Sequence, residues 1–349
     1  MKHRNLFLGL AIAALLVAAI FDPSVLHLSA SHALAGVALI GNTTLSPSNV
    51  RIVDPVLSNV AQGYAQAEHV GSALFPRVPV GLRGGQIIEF GKESFQLFNA
   101  RRAPGAATKR VRFGYLGKPF ALLQDSLEAQ VPREYLQDAA KMPGIDLGMR
   151  AVNMGMSTLS LTLENDQATL ARTAANYDAN HKIDLTAAKW SVDANKPSVD
   201  IDTGREAIRA SVGMYPNTLL LSAKAFNAAR NNANVISRFQ YTSHDSITAA
   251  MLANLWNIPK VVVGQAVYFD DTGAAVDVWG VDAILAYVPT QVSTVEQPSY
   301  GYTYTLEGNP LVEQPYYDPN TKSWIYPVNY ERVPVLSGIT SGYLFQNCA

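Results

Sequence analysis

The sequence predicts an α+β chain organised around one long helix, and three observations carry that prediction. A stripe of apolar residues at alternating steps of four and three runs from Ile145 to Tyr177. Two β-patterned runs stand before it, separated by a Pro-Gly turn. After it, a segment alternating helix and strand signals gives way to a tail that turns strongly β.

The helix is the longest periodic feature. Ile145, Met149, Val152, Met156, Leu159, Leu163, Leu170 and Tyr177 form the stripe, with Asp166 and Thr173 taking the remaining places. A second row, Leu147, Met154, Leu161, Ala168 and Ala175, falls roughly on the opposite side, so both sides are expected to be covered. Pro143 and Gly144 punctuate the start. At ~1.5 Å per residue such a helix runs close to ~50 Å, long enough to serve as a spine laid across a sheet.

The hairpin precedes it. Gly84 and Gly85 open the run Gln86 to Phe90, continued by Phe95 to Phe98, and after Pro104-Gly105 a return run follows from Arg110 to Tyr115. An isolated hairpin is marginal in water. Ordering ~30 residues costs on the order of 1–2 kcal/mol each, and ladder hydrogen bonds return about 0.5–1.5 kcal/mol apiece. The hairpin therefore needs a floor, and a second copy of the chain is the economical source. Arg101, Arg102, Lys109, Arg110 and Arg112 lie at the tip and return arm with no acid between them. A phosphate-binding patch would also use such charges, but no aromatic interleaving accompanies them at the tip. Asp125, Glu128, Glu134 and Asp138 follow closely and are the candidate matching acids on an adjacent copy.

From Ser46 to Gly81 four prolines punctuate an arm expected to cross a surface, with one short helix in 56–66. Beyond the spine, the polar stretch Asp178 to Pro197 reads as a boundary. Asp202 and Thr203 are candidate caps for a helix ending near Gly213. Thr218 to Leu221 is a buried strand, Ser222 caps 223–231, Ser246 caps 247–256, and Pro259 stops that helix. Lys260 to Phe269 and Ala283 to Val288 are further strands around the turn Asp271-Thr272-Gly273, and the whole is a lobe of its own. In the tail, Tyr302, Tyr304 and Leu306 alternate with polar residues, and Asp318-Pro319-Asn320-Thr321 turns a hairpin.

Composition bounds function. The 349 residues carry 27 Lys plus Arg against 28 Asp plus Glu, so no global field recruits nucleic acid or anionic membrane. The single cysteine, Cys348, excludes an internal disulfide and a cysteine metal site, and reads as an unremarkable tail thiol. At the N-terminus, Lys2, His3 and Arg4 precede an apolar run from Leu6 to Phe21, with Ala33-Leu34-Ala35 further on. This reads either as a secretory signal or as an apolar arm that docks on another part of an assembly. Outside the first 32 residues the only histidines are His69, His181 and His244, at no metal-binding spacing. There is no nucleophile elbow, Walker loop or dinucleotide fingerprint. The adjacent His244, Asp245 and Ser246 sit at a helix start and are read as capping. No catalytic residue, metal or cofactor is expected.

The order of parts, together with Leu74-Phe75-Pro76-Arg77-Val78-Pro79-Val80, Phe98 to Ala106, Ser299-Tyr300-Gly301-Tyr302-Thr303 and Trp324-Ile325-Tyr326-Pro327-Val328, resembles the major capsid proteins of tailed bacteriophages, the Hong Kong 97 type capsid fold. The resemblance implies an N-terminal arm and lead-in (1–83) and an E-loop hairpin (84–122). It implies a peripheral domain with the spine helix (123–197), an axial domain (198–291), and return strands with the C-terminus (292–349). It further implies pentamers and hexamers of this one chain in an icosahedral shell around double-stranded DNA, in the virion after assembly in host cytoplasm. Scaffolding would be a separate protein, with portal and decoration proteins as further partners. The alternative is an exported, periplasmic binding or hydrolytic protein, motivated by the N-terminal segment.

Overall fold

A computed structural model of the protein describes residues 54–62, 69–88, 101, 117–141, 144, 146–239, 246–289 and 299–349. All belong to the compact unit Val53–Ala349. The lead-in supplies helix α1 (Pro55–Gln62), then β1 (Arg77–Val80). The described part of the hairpin is its base, where β2 (Gly84–Ile88) pairs antiparallel with β3 (Gly117–Ala121), Gly84 opposite Ala121 and Ile88 opposite Gly117. The runs expected at 89–100 and 110–115 lie outside the described residues. Strand β4 (Leu123–Pro132) and the short helix α2 (Arg133–Ala139) lead to the spine, α3 (Leu147–Arg172).

The spine is shorter than the periodicity predicts. Its 26 residues give ~39 Å. Asp146 caps it by accepting from the Gly148 and Met149 N–H groups at 2.9 and 3.0 Å. It stops before Thr173, so Tyr177 lies beyond an intervening 3₁₀ turn and is buried by other contacts. Nor are two full sides covered. The buried face is one stripe through Gly148, Val152, Met156, Leu159, Leu163, Gln167 and Ala171. The second row is covered unevenly: Ala168 is buried, Leu147 and Leu161 are half-buried, Met154 is 72% exposed, and Ala175, beyond the helix, is exposed. The reason is what lies beneath. The first half of α3 rests on a single sheet with α1 beside it, whereas the second half passes on to a second sheet.

After the spine come β5 (Lys182–Asp184), α4 (Pro197–Val212), β6 (Thr218–Ser222), α5 (Ala223–Asn231), α6 (Ala233–Phe239), α7 (Ala249–Trp256), β7 (Lys260–Gly264), β8 (Val267–Phe269), β9 (Ala275–Asp277) and β10 (Ala283–Ala286). Several boundaries differ from expectation. The helix assigned to caps at Asp202 and Thr203 begins with Pro197 in its first turn, where a missing N–H costs nothing. It ends at Gly213, whose φ of 73° suits the left-handed position. Ser222 caps α5 as expected, accepting from the Ala225 N–H at 3.1 Å, but α7 is capped by Thr248 and not by Ser246. The single strand expected over 260–269 is broken at Gln265-Ala266.

The tail contributes β11 (Gly301–Leu306), β12 (Leu311–Val312), β13 (Tyr316–Asp318), β14 (Ser323–Leu336) and β15 (Gly342–Gln346). Two sheets organise the unit. In the larger, β14 is the hub: it pairs with β11, β12 and β13 and, along ten residues, with β4, while β1 joins β11 in parallel. The other runs β5, β15, β10, β6, β7. The segment 292–349 thus divides between the sheets, because the lobe's central strand β10 is completed on one side by β15.

Alternation along β6, β10 and β15 splits the second sheet cleanly. Leu219, Leu221, Leu285 and Phe345 face α4, α5 and α7, while Leu220, Ile284 and Leu344 face Ala168 and Ala171 of the spine. The arm expected to cross a surface is instead partly core. Leu74 and Phe75 are fully buried in that same cluster. Cys348 is likewise buried, against Trp190 and Phe345, and is no loose tail thiol.

Candidate assembly surface

The hairpin base is clamped to the body of its own chain by an ion pair and an aromatic contact. Arg83 reaches the Glu331 carboxylate through Nε to Oε2 at 2.6 Å and Nη2 to Oε1 at 3.0 Å. Glu331 is 3% exposed on the hub strand, and its carboxylate raises the guanidinium pKa. The Leu122 N–H donates to the Arg83 carbonyl at 2.8 Å, and the Phe120 ring packs on Tyr304, centroids 4.6 Å apart. Residues 81–86 beyond these contacts are exposed.

The acids expected to receive a neighbour's charges do not share one surface. Asp125 and Glu128 are three apart on β4, so alternation sends them to opposite faces. Asp125 faces the spine side and takes a hydrogen bond from Arg332 Nη2 at 3.3 Å. Arg332 is buried, also donates to the Leu159 carbonyl, and lies over the Tyr330 ring at 4.2 Å. Burial pushes its pKa down and pushes that of the nearby Asp166 up, against the pull of Arg332. Glu128 faces the other side and accepts from the Tyr316 hydroxyl at 3.2 Å. Glu134 stands exposed in the first turn of α2, and Asp138 lies 3.6 Å from Lys141. Of the basic set, Arg101 is exposed. Arg102, Lys109, Arg110 and Arg112 lie outside the described residues.

The supports beneath this surface were missed by periodicity alone. Glu164, 2% exposed on the spine, accepts from the Val70 and Gly71 N–H groups at 2.9 and 3.0 Å and from the Trp279 indole at 2.7 Å. Gln167 donates to Thr303 Oγ1 at 2.8 Å, and that hydroxyl donates to the Phe75 carbonyl. Arg172, in the last turn, binds Asp282 at 2.7 Å and the Val278 carbonyl at 3.1 Å. The available signal was polarity on an apolar stripe: Glu164 and Gln167 sit on the buried face and so require partners.

One arrangement invites a catalytic reading. His181 Nδ1 meets Asp178 Oδ1 at 2.6 Å and its Nε2 meets Ser211 Oγ at 2.9 Å. Ser211 lies in the last turn of α4, however, where free carbonyls gather, the wrong dipole for a developing oxyanion. The line instead latches the loop after the spine to α4. His244 and Asp245 lie outside the described residues. Among the described residues no cluster of His, Cys, Asp or Glu is placed to hold a metal, and no helix is long and apolar enough to cross a membrane.

A hub-stranded sheet under a long spine, a second lobe, and a hairpin whose base is clamped to the hub strand define a shell-building subunit, and comparison with known proteins places it. The family described as Phage major capsid protein E matches residues 165–324. The major capsid protein of Burkholderia phage BcepMu is 34% identical over 302 residues, spanning 85% of this chain and 97% of the relative. The crystal structure of a phage-related protein from Bordetella bronchiseptica RB50 superposes with a TM-score of 0.75 at 47% identity, covering 86% of this chain and 98% of that one. The capsid of Cyanophage P-SCSP1u shares the fold at 10% identity, TM-score 0.52, over 81% of this chain and 89% of its own. The chain belongs to the phage major capsid protein family, with the Hong Kong 97 type fold. It is a structural component of the virion. The exported alternative has no support among these relatives.

Proposed function

We propose that copies of this chain form pentamers and hexamers that tile an icosahedral shell around packaged double-stranded DNA, held without sequence-specific contacts. In this reading residues 84–122 are the E-loop, 123–197 with much of 292–349 the peripheral domain, and 198–291 the core of the axial domain, which also takes in β5 and β15. The N-terminal 1–83 are arm and lead-in. Assembly takes place in host cytoplasm, with scaffolding supplied by a separate protein and portal and decoration proteins joining the shell. The observation that carries the reading is the hairpin: Gly84, Gly85 and Gln86 at its described base are exposed, while Arg83 binds Glu331 and Phe120 packs on Tyr304. The remainder has no floor in the sequence beside it, and a neighbouring copy supplies one. Arg101, Arg102, Lys109, Arg110 and Arg112 then meet Glu128, Glu134 and Asp138 of that copy, each pair modest but repeated across the shell, while Asp125 stays with Arg332 of its own subunit.

Expression with scaffold, followed by sizing chromatography and negative-stain imaging, tests the reading: polyhedral particles of megadalton size are expected. A purely monomeric product under those conditions overturns it. Arg102→Glu is expected to lower particle yield while the subunit stays folded.

A further inference from the structure

Between the spine and the hub sheet lies a small polar site, and we infer that it binds water: ordered water molecules bridge the buried guanidinium of Arg332 to the hydroxyls of Tyr330 and Thr305. Arg332, Tyr330 and Thr305 are 2%, 0% and 6% exposed. They share one face of the sheet, Thr305 standing directly opposite Arg332 across the β11–β14 ladder and Tyr330 two residues before it on β14. Only Nη2 of Arg332 is engaged, donating to Asp125 Oδ2 at 3.3 Å and to the Leu159 carbonyl of the spine. Its Nε and Nη1, the Tyr330 hydroxyl and Thr305 Oγ1 are buried with no partner in the protein. Among the described residues these are four of the six such atoms, so the orphans are gathered at one place. Folded chains leave few buried polar groups unpaired, and least of all the N–H groups of a charge.

Charge and geometry select the class of occupant. Arg332 is opposed by Asp125 and, from the spine, by Asp166, whose carboxyl it pulls down against desolvation. Arg77 lies over the Tyr330 ring at 5.5 Å from its centroid. Two guanidiniums therefore stand against two carboxylates, and an added ion would leave an uncompensated charge in a buried place. A guanidinium has no acceptor to offer a cation. Its Nε–H and Nη1–H also point into different forks, so one bidentate anion cannot take both while Nη2 stays engaged. Water is neutral, accepts from the guanidinium and donates to the hydroxyl oxygens, which gives it the two to four partners a buried molecule needs.

Every residue of the site belongs to one subunit, so the inference does not rest on the shell reading. A crystal structure of the full-length unassembled subunit, grown in bromide at a resolution that shows ordered water, tests it directly. Solvent peaks are expected within about 2.7–3.2 Å of Nε or Nη1 and of a hydroxyl, without anomalous bromide signal. A bromide peak there makes it an anion site and overturns the inference, as does a dry site with the Asp166 carboxylate folded onto Nη1. Unfolding of two conservative variants supplies a test by sign. Tyr330→Phe keeps the ring under the guanidinium, and Thr305→Val keeps the shape; each deletes only a hydroxyl. If water bridges these groups, each variant is expected to raise the unfolding constant at least about threefold. An orphaned hydroxyl would instead be a burden, and an unchanged or lowered constant in both variants overturns the inference.

Discussion

The Glu164 carboxylate and the Trp279 indole N–H meet at 2.7 Å between the spine helix and the lobe, with both residues buried. The same carboxylate holds the backbone of Val70 and Gly71, so one side chain joins the lead-in, the spine and the α/β sheet. Three N–H groups depend on it. Glu164→Ala strands them all, and at about 1–3 kcal/mol for each buried unsatisfied group the subunit is expected to lose at least about 3 kcal/mol. Urea unfolding of unassembled protein reads this as a lowered midpoint, with Glu164→Gln intermediate.

Gly71 is closed in by the same residues. A Cβ there would land on Gln167 Oε1 and within 2.8 Å of Glu164 Oε2. Gly71→Ala is therefore expected to destabilise by about 1–3 kcal/mol. Gly81→Ala, where a Cβ meets nothing within 4 Å, is the control and should leave the unfolding midpoint nearly unchanged.

Arg83 clamps the hairpin base to the hub strand. In Arg83→Ala the amides of 84–88 and 117–121 should exchange faster in the unassembled subunit, while those of β6 and β10 keep their protection. Equal exchange in variant and parent would show that the ladder itself holds the base.

Alkaline pH acts through buried phenols. Desolvation pushes Tyr304 up to about 12 and raises Tyr177 and Tyr300 as well. A raised folded pKa means that above about pH 10 the unfolded chain sheds protons the native state keeps, so stability falls as pH rises through 10 to 12. Tyrosinate absorbance is expected to rise together with loss of structure; Tyr304→Phe should weaken this dependence.

Burial and the nearby Asp282 hold the Cys348 thiol well above its usual range. Thiol reagents are expected to leave native protein unlabelled and to modify one equivalent once it is denatured.

Legibility in the sequence followed the range of the interaction. The cap at Ser222, the strand at Thr218, the turn at Gly273 and the tail hairpin around Asp318 are set by neighbours a few residues away, and all were readable. The helix stripe was readable too, but its covered width was not. Met154 and Ala168 occupy equivalent places in one row, yet only Ala168 is buried. Leu74 and Phe75 looked like surface arm because their partners lie far along the chain.

By itself the sequence determined the kind of subunit: a long amphipathic spine, a hairpin too costly to stand alone, a lobe of alternating elements, and stretches resembling one capsid family. Periodicity and turn chemistry are local properties, so they survive in one dimension. Tertiary structure decided which charges are spent inside the subunit, pairing Arg83 with Glu331, Arg332 with Asp125 and Arg172 with Asp282. Among the described residues it also gave β4 a single strand neighbour, β14. Partner choice for a buried polar group depends on which surfaces meet across a hundred or more residues, and spacing carries no record of that meeting.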